Sequence, residues 1–178
     1  MIEEIANWSE KRGWKRIILD HITGIKEYLI RYGLWGNPKE EHKYFANYLH
    51  EIKMSDEDYK HNHPQAWVSI ILRGVYREHT LYGSKVWRQG SFRFRSASSW
   101  HRLEALTPSI WTFFIAFPRQ HKWMFLIDGM PVYWKIHLAQ PPFDKNNAYW
   151  LNRWKELYAN RSRQKLSNTK WSKSYCDE

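Results

Sequence analysis

His61-Asn62-His63-Pro64 opens the stretch whose reading decides the fold, and Trp100-His101-Arg102 closes it. Between them run Ala66-Trp67-Val68-Ser69-Ile70-Ile71-Leu72-Arg73, then Gly74 and Gly90. The run from Ala66 is apolar and β-branched and ends at a turn glycine, which predicts a strand. Histidines two positions apart on an extended chain project to one face. Two imidazoles so placed can chelate one cation, and a third ligand must come from a neighbouring strand. His101, entering a strand after the Ser96-Ala97-Ser98-Ser99 turn, is the natural third.

Outward from this stretch the chain reads as closely spaced short strands. Residues 75–81 are the hairpin partner or bent extension of the first. Tyr82-Gly83-Ser84 is a turn, 85–88 a short strand, and Gly90 another turn. Residues 91–95 alternate with period two, and 100–105 follow. Residues 110–117 form a long apolar strand, buried on both faces and ended by Pro118. Residues 122–127 pair with 130–136 through an Asp128-Gly129 hairpin turn. Upstream, 42–54 is the first long strand, with a helix as the alternative. Ser55-Asp56-Glu57-Asp58 is an acidic turn that could bring a carboxylate near the histidines.

Residues 1–36 show apolar spacing of helical type: Ile2, Ile5 and Trp8, then Trp14, Ile17, Ile18, Ile22, Ile25, Tyr28 and Leu29. They predict two helices outside the strands, ended by Gly33, Gly36 and Pro38. After Pro141-Pro142, residues 147–159 predict a further helix, and the remainder is polar and basic. The division is helical decoration over 1–40, a β domain over 41–140, and a helix with a basic tail over 141–178.

The spacing of His61, His63, Gly74, Gly90 and His101 resembles the two-motif signature of the cupin family. The first motif carries His-x-His, a Glu and a Gly; His61, His63 and Gly74 match. The second carries a Gly, Pro-x-Gly and a His; Gly90 and His101 match. More narrowly, the run from Ser55 to Pro64 resembles a group of small, poorly characterised cupin-like proteins of bacteria and phage. So do Ile71 to Glu78, Phe94-Arg95, His101-Arg102 and Trp111-Thr112. The resemblance implies a mainly β fold: a jelly-roll β-barrel with flanking N-terminal helices and a C-terminal helix.

The chain departs from the family pattern in several places. Ser55 stands where the first motif opens on Gly, Trp67 where it has Glu, Ser96 and Ser98 where the second has Pro and Gly, and Ala105 where Asn is common. Without the Glu, the resemblance leaves a three-histidine site like that of thiol dioxygenases, which hold Fe(II) with positions open for substrate and O₂. It implies a divalent transition metal, Fe(II) first and Zn, Ni or Mn as alternatives. The expected activity is an oxygenase acting on a small anionic molecule. A sugar or sugar-nucleotide isomerase is a weaker alternative, because it usually needs the Glu that Trp67 displaces.

Candidate residues follow from that site. His61, His63 and His101 are the metal ligands. Tyr76 is a candidate acid or hydrogen-bond donor at the barrel mouth. Glu78 and Glu104 are candidates to orient the rings, and Arg95 is a candidate beside them; Tyr76, Glu78 and Arg95 form the candidate catalytic set. Arg73, Arg88 and Arg102 would bind an anionic substrate, because guanidinium grips an oxyanion bidentately. Trp67 would line the substrate site or plug it.

Twelve Trp, 11 Tyr and 8 Phe suit strands and an aromatic core. The formal charge of +10 points to an anionic partner. Between Asn152 and Tyr175 seven cations face Glu156 alone, a net +6. There Arg153, Lys155, Arg161, Arg163 and Lys165, interleaved with Trp150, Trp154 and Trp171, would suit single-stranded nucleic acid. A non-catalytic barrel that binds nucleic acid or a protein through this tail is therefore the alternative function, and a homodimer is a further expectation. The single cysteine, Cys176, excludes an intramolecular disulfide and fits a reducing, cytoplasmic compartment. The polar N-terminus is not read as a secretory signal, and no apolar run reaches the roughly 18 residues of a membrane span.

Overall fold

The computed structural model describes residues 1–20, 25–35, 45–134 and 137. They form two facing antiparallel sheets and one N-terminal helix. The helix is α1 (Ile2–Lys11). The strands are β1 (Lys15–Leu19), β2 (Glu27–Trp35), β3 (Ala46–Ile52), β4 (Lys60–His61), β5 (Trp67–Arg73), β6 (Val75–Thr80), β7 (Gly83–Arg88), β8 (Phe92–Arg95), β9 (His101–Ala105), β10 (Ile110–Ala116), β11 (Met124–Ile127) and β12 (Met130–Tyr133). One sheet has the order β1-β2-β3-β10-β5-β8 and the other β12-β11-β4-β9-β6-β7. Among the described residues each sheet keeps two edges, so the observed architecture is a pair of facing sheets.

The core lies between the sheets. Ile52, Ile71 and Ile110 from the first pack against Tyr76, Trp87, Leu103 and Ala105 from the second. Strand β10 sits between β3 and β5, and both its faces are occupied, as its long, mostly apolar sequence predicts. Thr112 and Phe114 face the second sheet. Trp111 turns outward and stacks on Tyr32 at 5.9 Å in the layer under α1.

The N-terminal region differs from its sequence pattern. One helix forms where two were expected, and residues 15–35 supply strands β1 and β2. Gly13, at φ 71°, ends α1. Beyond it the decisive repeat is two: Ile30, Tyr32 and Leu34 are buried under α1 with Ala6, while Leu29 packs into the inter-sheet core. β-Branched and aromatic residues such as Ile17, Ile18 and Tyr28 prefer that setting. Ser9 Oγ donates to Gly33 O at 2.8 Å and fixes the helix to β2. The predicted helix at 147–159 lies outside the described residues.

Gly74 makes the fold possible at one point. There the chain leaves β5 in one sheet and enters β6 in the other. Its φ is 93°, and a Cβ would lie 2.6 Å from Ser109 O and 2.9 Å from Ile110 Cα. Gly90 also has positive φ, at 83°, but a Cβ there meets nothing within 4 Å. Gly74→Ala should therefore destabilise more than Gly90→Ala in urea unfolding. The conformation alone costs about 1–3 kcal/mol at each position, and Gly74→Ala adds the clash. Equal losses would refute the close-approach account.

Candidate metal centre

Strands β4 and β9 pair at a single point, His61 opposite His101. His63 follows two residues after His61. The result is a group of three imidazoles, each offering one ligand nitrogen, with those nitrogens all within 4.8 Å of one another. Ring centroids lie 5.0 Å apart for His61–His101, 5.1 Å for His63–His101 and 5.2 Å for His61–His63. Asn62, between the two, projects the other way: its Oδ1 accepts from Met124 N at 2.9 Å and its N–H donates to Met124 O. That clamp to β11 sets the His-x-His backbone.

Each ring has a distinct setting. His101 Nδ1 lies 3.0 Å from Glu78 Oε1, so it donates to that carboxylate, and Nε2 is the nitrogen turned toward the other two rings. That Nε2 is 2.9 Å from His63 Nε2. Two imidazole nitrogens this close need a proton or a cation between them. Burial lowers His61 to about 4, partly opposed by Asp56. Burial and the neighbouring His101 and His61 hold His63 well below its usual value. Both are therefore neutral at pH 7, the form a metal requires. His61 Nδ1 has no hydrogen-bond partner among the described residues and lies 3.9 Å from Asp56 Oδ2. These features fit a transition metal held by His61, His63 and His101.

Glu78 anchors the arrangement from β6. It is 1% exposed and accepts from Trp87 Nε1 at 3.1 Å, Arg95 Nη2 at 2.6 Å, Arg95 Nε at 3.2 Å, Arg93 Nη2 and His101 Nδ1. Burial alone would raise its pKa, but the hydrogen bonds from His101 and Arg95 and the charge of Arg93 outweigh it and bring it to about 2. Arg93 is itself buried, bonded to Tyr76 Oη, with its guanidinium 5.0 Å from the ring centres of Trp67 and of Trp87. Asp56 performs a parallel task near His61: it accepts from Tyr28 Oη and from Leu103 N at 2.6 Å.

The structure brings some sequence-marked residues to this centre and leaves others away from it. Trp67 is 3% exposed, 5.5 Å from the rings of both His63 and His101, and stacked on Phe114 at 5.3 Å. Glu78 and Arg95 lie behind His101, with every acceptor direction of the carboxylate engaged. Tyr76 is 1% exposed in the inter-sheet core rather than at a mouth. Glu104 is bound by Arg77 and His79 instead of orienting a metal-site ring. Arg73 pairs with Glu3 of α1, Arg102 reaches Asp58, and Arg88 is exposed on β7. Arg153, Lys155, Arg161, Arg163 and Lys165 lie outside the described residues. Arg93 lies in the period-two run 91–95, which carries no signal of its role, and the sequence gives none for the contacts of Tyr28 or His50. Asp56 is foreshadowed by the acidic turn.

No family model matches the chain, and no curated protein matches it. Solved structures do resemble it. An RmlC-like cupin protein from Ralstonia eutropha is 17% identical over 70% of this chain and 78% of that one, with a TM-score of 0.46. The Fe(II) form of HppE is 14% identical over 58% and 56%, with a TM-score of 0.46. KdgF from a Halomonas species is 13% identical over 54% and 85%, with a TM-score of 0.42. This chain thus spans just over half the length of HppE. Among the described residues of this chain, two antiparallel sheets hold a three-histidine cluster between them. At such low identities the chemistry rests on this chain's own residues.

Removing the Glu78 carboxylate leaves Arg93 buried beside an uncharged neighbour. Glu78→Gln should cost about 3–5 kcal/mol in chemical unfolding, the range for breaking one side of a buried ion pair. Glu104→Gln, at the surface pair, should leave the midpoint nearly unchanged. Metal-free protein should also lose stability on acidification in two steps. His61 and His63 bind protons more readily unfolded than folded, so their contribution fades as the pH falls from 6.5, toward about 4 for His61. The Glu78 contribution is full above 4.5 and disappears as the pH falls through about 2. A single step centred near 4.5 would contradict this assignment.

Proposed function

We propose that the chain is a metal-dependent enzyme of cupin type that holds a divalent transition ion on His61, His63 and His101 and acts on a small anionic molecule. Fe(II) and an oxygenase reaction are the specific form of this reading. The observation that carries it is the Glu78–His101 contact. A buried carboxylate that fixes one imidazole as an Nδ1–H donor, with its Nε2 turned to another imidazole, is the outer support a histidine ligand needs. The 2.9 Å separation of His63 Nε2 and His101 Nε2 suits a proton between them in the metal-free protein and places both nitrogens where one cation could take its place.

When bound, such an ion supplies Lewis acidity and, as Fe(II), redox chemistry with O₂. The chain's own residues do the rest. Glu78 keeps the His101 proton on Nδ1, so the ring remains a donor of electrons through Nε2. Asp56 faces Nδ1 of His61 and favours the same tautomer there. Trp67 and Phe114 wall the centre with aromatic surface, which excludes water and strengthens the local electrostatics. Three neutral ligands leave coordination positions for substrate and O₂, and they leave the ion's charge to be offset by an anion.

A second reading is favoured by the charge of the C-terminal segment, a net +6 with interleaved tryptophans. That segment would bind single-stranded nucleic acid, with or without a working metal centre.

Protein purified without an affinity tag that binds metal should contain about one transition ion per chain by elemental analysis. His101→Ala and His61→Ala should each reduce that content at least tenfold, in line with loss of one of three ligands. Absence of a transition ion from the wild type after Fe(II), Zn(II), Ni(II) and Mn(II) have each been offered would sink the metal reading. Removing the residues after Asn160 should separately weaken salt-sensitive binding to a single-stranded oligonucleotide; unchanged binding would dispose of the second reading.

A further inference from the structure

We propose that Ser84, His79 and Glu104, on the outer face of the second sheet, form a serine-nucleophile site that transfers acyl groups from small carboxylic esters. It is separate from the three-histidine centre and does not use a metal. Ser84 on β7 is the direct register partner of His79 on β6, and Arg77 on β6 is that of Glu104 on β9. Alternation puts all of them on one face. Tyr76 and Glu78 turn inward from β6, and His101 and Leu103 turn inward from β9. Their neighbours Arg77, His79 and Glu104 therefore turn outward. Ser84 Oγ lies 2.8 Å from His79 Nδ1, and His79 Nε2 lies 2.8 Å from Glu104 Oε2.

The protons in this series have one consistent arrangement. Arg77 Nη1 donates to both Glu104 oxygens, at 3.1 and 3.0 Å. The hydrogen bonds from His79 and Arg77 hold the Glu104 carboxyl below its usual value, so it is an ionised acceptor. A neutral His79 ring then carries its one proton on Nε2 and its lone pair on Nδ1. Ser84 is the donor in the remaining contact, with its hydroxyl proton directed at a base. A hydroxyl, a base and a carboxylate that orients the base are the constellation that activates a serine. The two ring nitrogens exchange roles relative to the serine-protease arrangement, and the proton path is the same.

The hydroxyl is open to a substrate. Ser84 is exposed, and β7 is the edge strand of its sheet among the described residues. Thr80 pairs with Gly83 across the Leu81-Tyr82 turn, so every second backbone N–H from Ser84 onward points away from β6. Arg88 N has that phase and donates to Ser91 Oγ at 3.1 Å. The Ser84 amide thus faces the open edge beside its own Oγ, where it can donate to the oxygen of a carbonyl under attack. Leu81 and Tyr82, exposed at the turn, offer apolar surface to an acyl or leaving group.

The reaction balances within these residues, ester and water. Ser84 Oγ bonds to the carbonyl carbon as its proton passes to His79 Nδ1. The bond from that carbon to the leaving oxygen breaks, and the alcohol departs with the proton. Water then gives a proton to Nδ1 and attacks the acyl carbon. The bond to Oγ breaks, Oγ takes the proton back, and the carboxylic acid is released. Glu104 stays ionised throughout and stabilises the imidazolium.

The full chain incubated with p-nitrophenyl acetate tests the site, with nitrophenol release followed by absorbance and acetylated peptides located by mass spectrometry. Acetyl should appear on Ser84. Ser84→Ala should abolish that label, and His79→Gln should slow it about a hundredfold, the effect of a positioned base. Glu104→Gln should slow it about tenfold or more, because the ring is then free to take the other tautomer. Ser98→Ala removes an exposed serine hydrogen-bonded to Ser96 rather than to a histidine, and should change nothing. Melting curves of all four variants should match the wild type, so that a lost rate reports chemistry. A chelator should leave the rate unaltered. Acetyl confined to lysines, no acetyl at all, or Ser84 labelling that is equal in His79→Gln overturns the site. Release that survives Ser84→Ala and disappears with the chelator also overturns it, and assigns the activity to the three-histidine centre.

Discussion

The Glu78 carboxylate is the point on which the inter-sheet space depends. A buried carboxylate carries a desolvation cost of several kcal/mol, offset only when its lone pairs are filled by good donors. Here the donors come from both sheets. Trp87 and His101 belong to the sheet that contains Glu78, and Arg93 and Arg95 reach it from β8 in the other. The ion pair therefore ties the edge strand β8 across the sandwich and sets the tautomer of His101 in the same contact. Substitution at Glu78 would loosen the sheets and release the ring together, so its structural and functional effects are linked.

At the other end of the histidine group the link is made by Asp56. It ties Tyr28 of β2 to the backbone of β9 through Leu103, and it faces His61. Burial and the Asp56 charge push the Tyr28 phenol well above its usual value, so it remains a donor. The two carboxylates bracket β9, the short strand carrying His101. A five-residue strand has little packing surface of its own. Its ladder with β6 and the packing of Leu103 and Ala105 are therefore joined by polar contacts from Glu78 and Asp56, whose geometry tolerates little movement.

Much of this was legible in the sequence because its signals are local. The strand from Trp67, the Asp128-Gly129 turn, with φ of 49° and 77°, and the His-x-His pair each depend on residues within a few positions. The third histidine followed from spacing. The N-terminal reading failed because Trp14, Ile17, Ile18, Ile25 and Leu29 satisfy a helical period by coincidence, while the contacts that decide the matter, Ile30, Tyr32 and Leu34 against Ala6, are non-local. Tyr76 has the phase of Glu78 but lies deeper between the sheets, and Glu104 falls on the outer face of β9. Adjacent strand positions alternate between the core and the surface, and one residue of phase separates a buried side chain from a solvated one. His50 was illegible because nothing near it in sequence shows that β3 will lie two strands from β5 and face the histidines.

Trp67 changes the charge at the centre as well as its shape. A carboxylate at that position would contribute a negative charge directly beside the histidines. The indole contributes none, and the carboxylate that is present, Glu78, is shared with two arginines and a histidine N–H. With the indole there, the negative charge beside the histidines comes from Glu78 and Asp56, and each is already engaged by protein donors: Arg93, Arg95, Trp87 and His101 on the first, Tyr28 and the Leu103 amide on the second. The chain therefore supplies the charge that orients its histidines from neighbouring strands rather than from the position of Trp67.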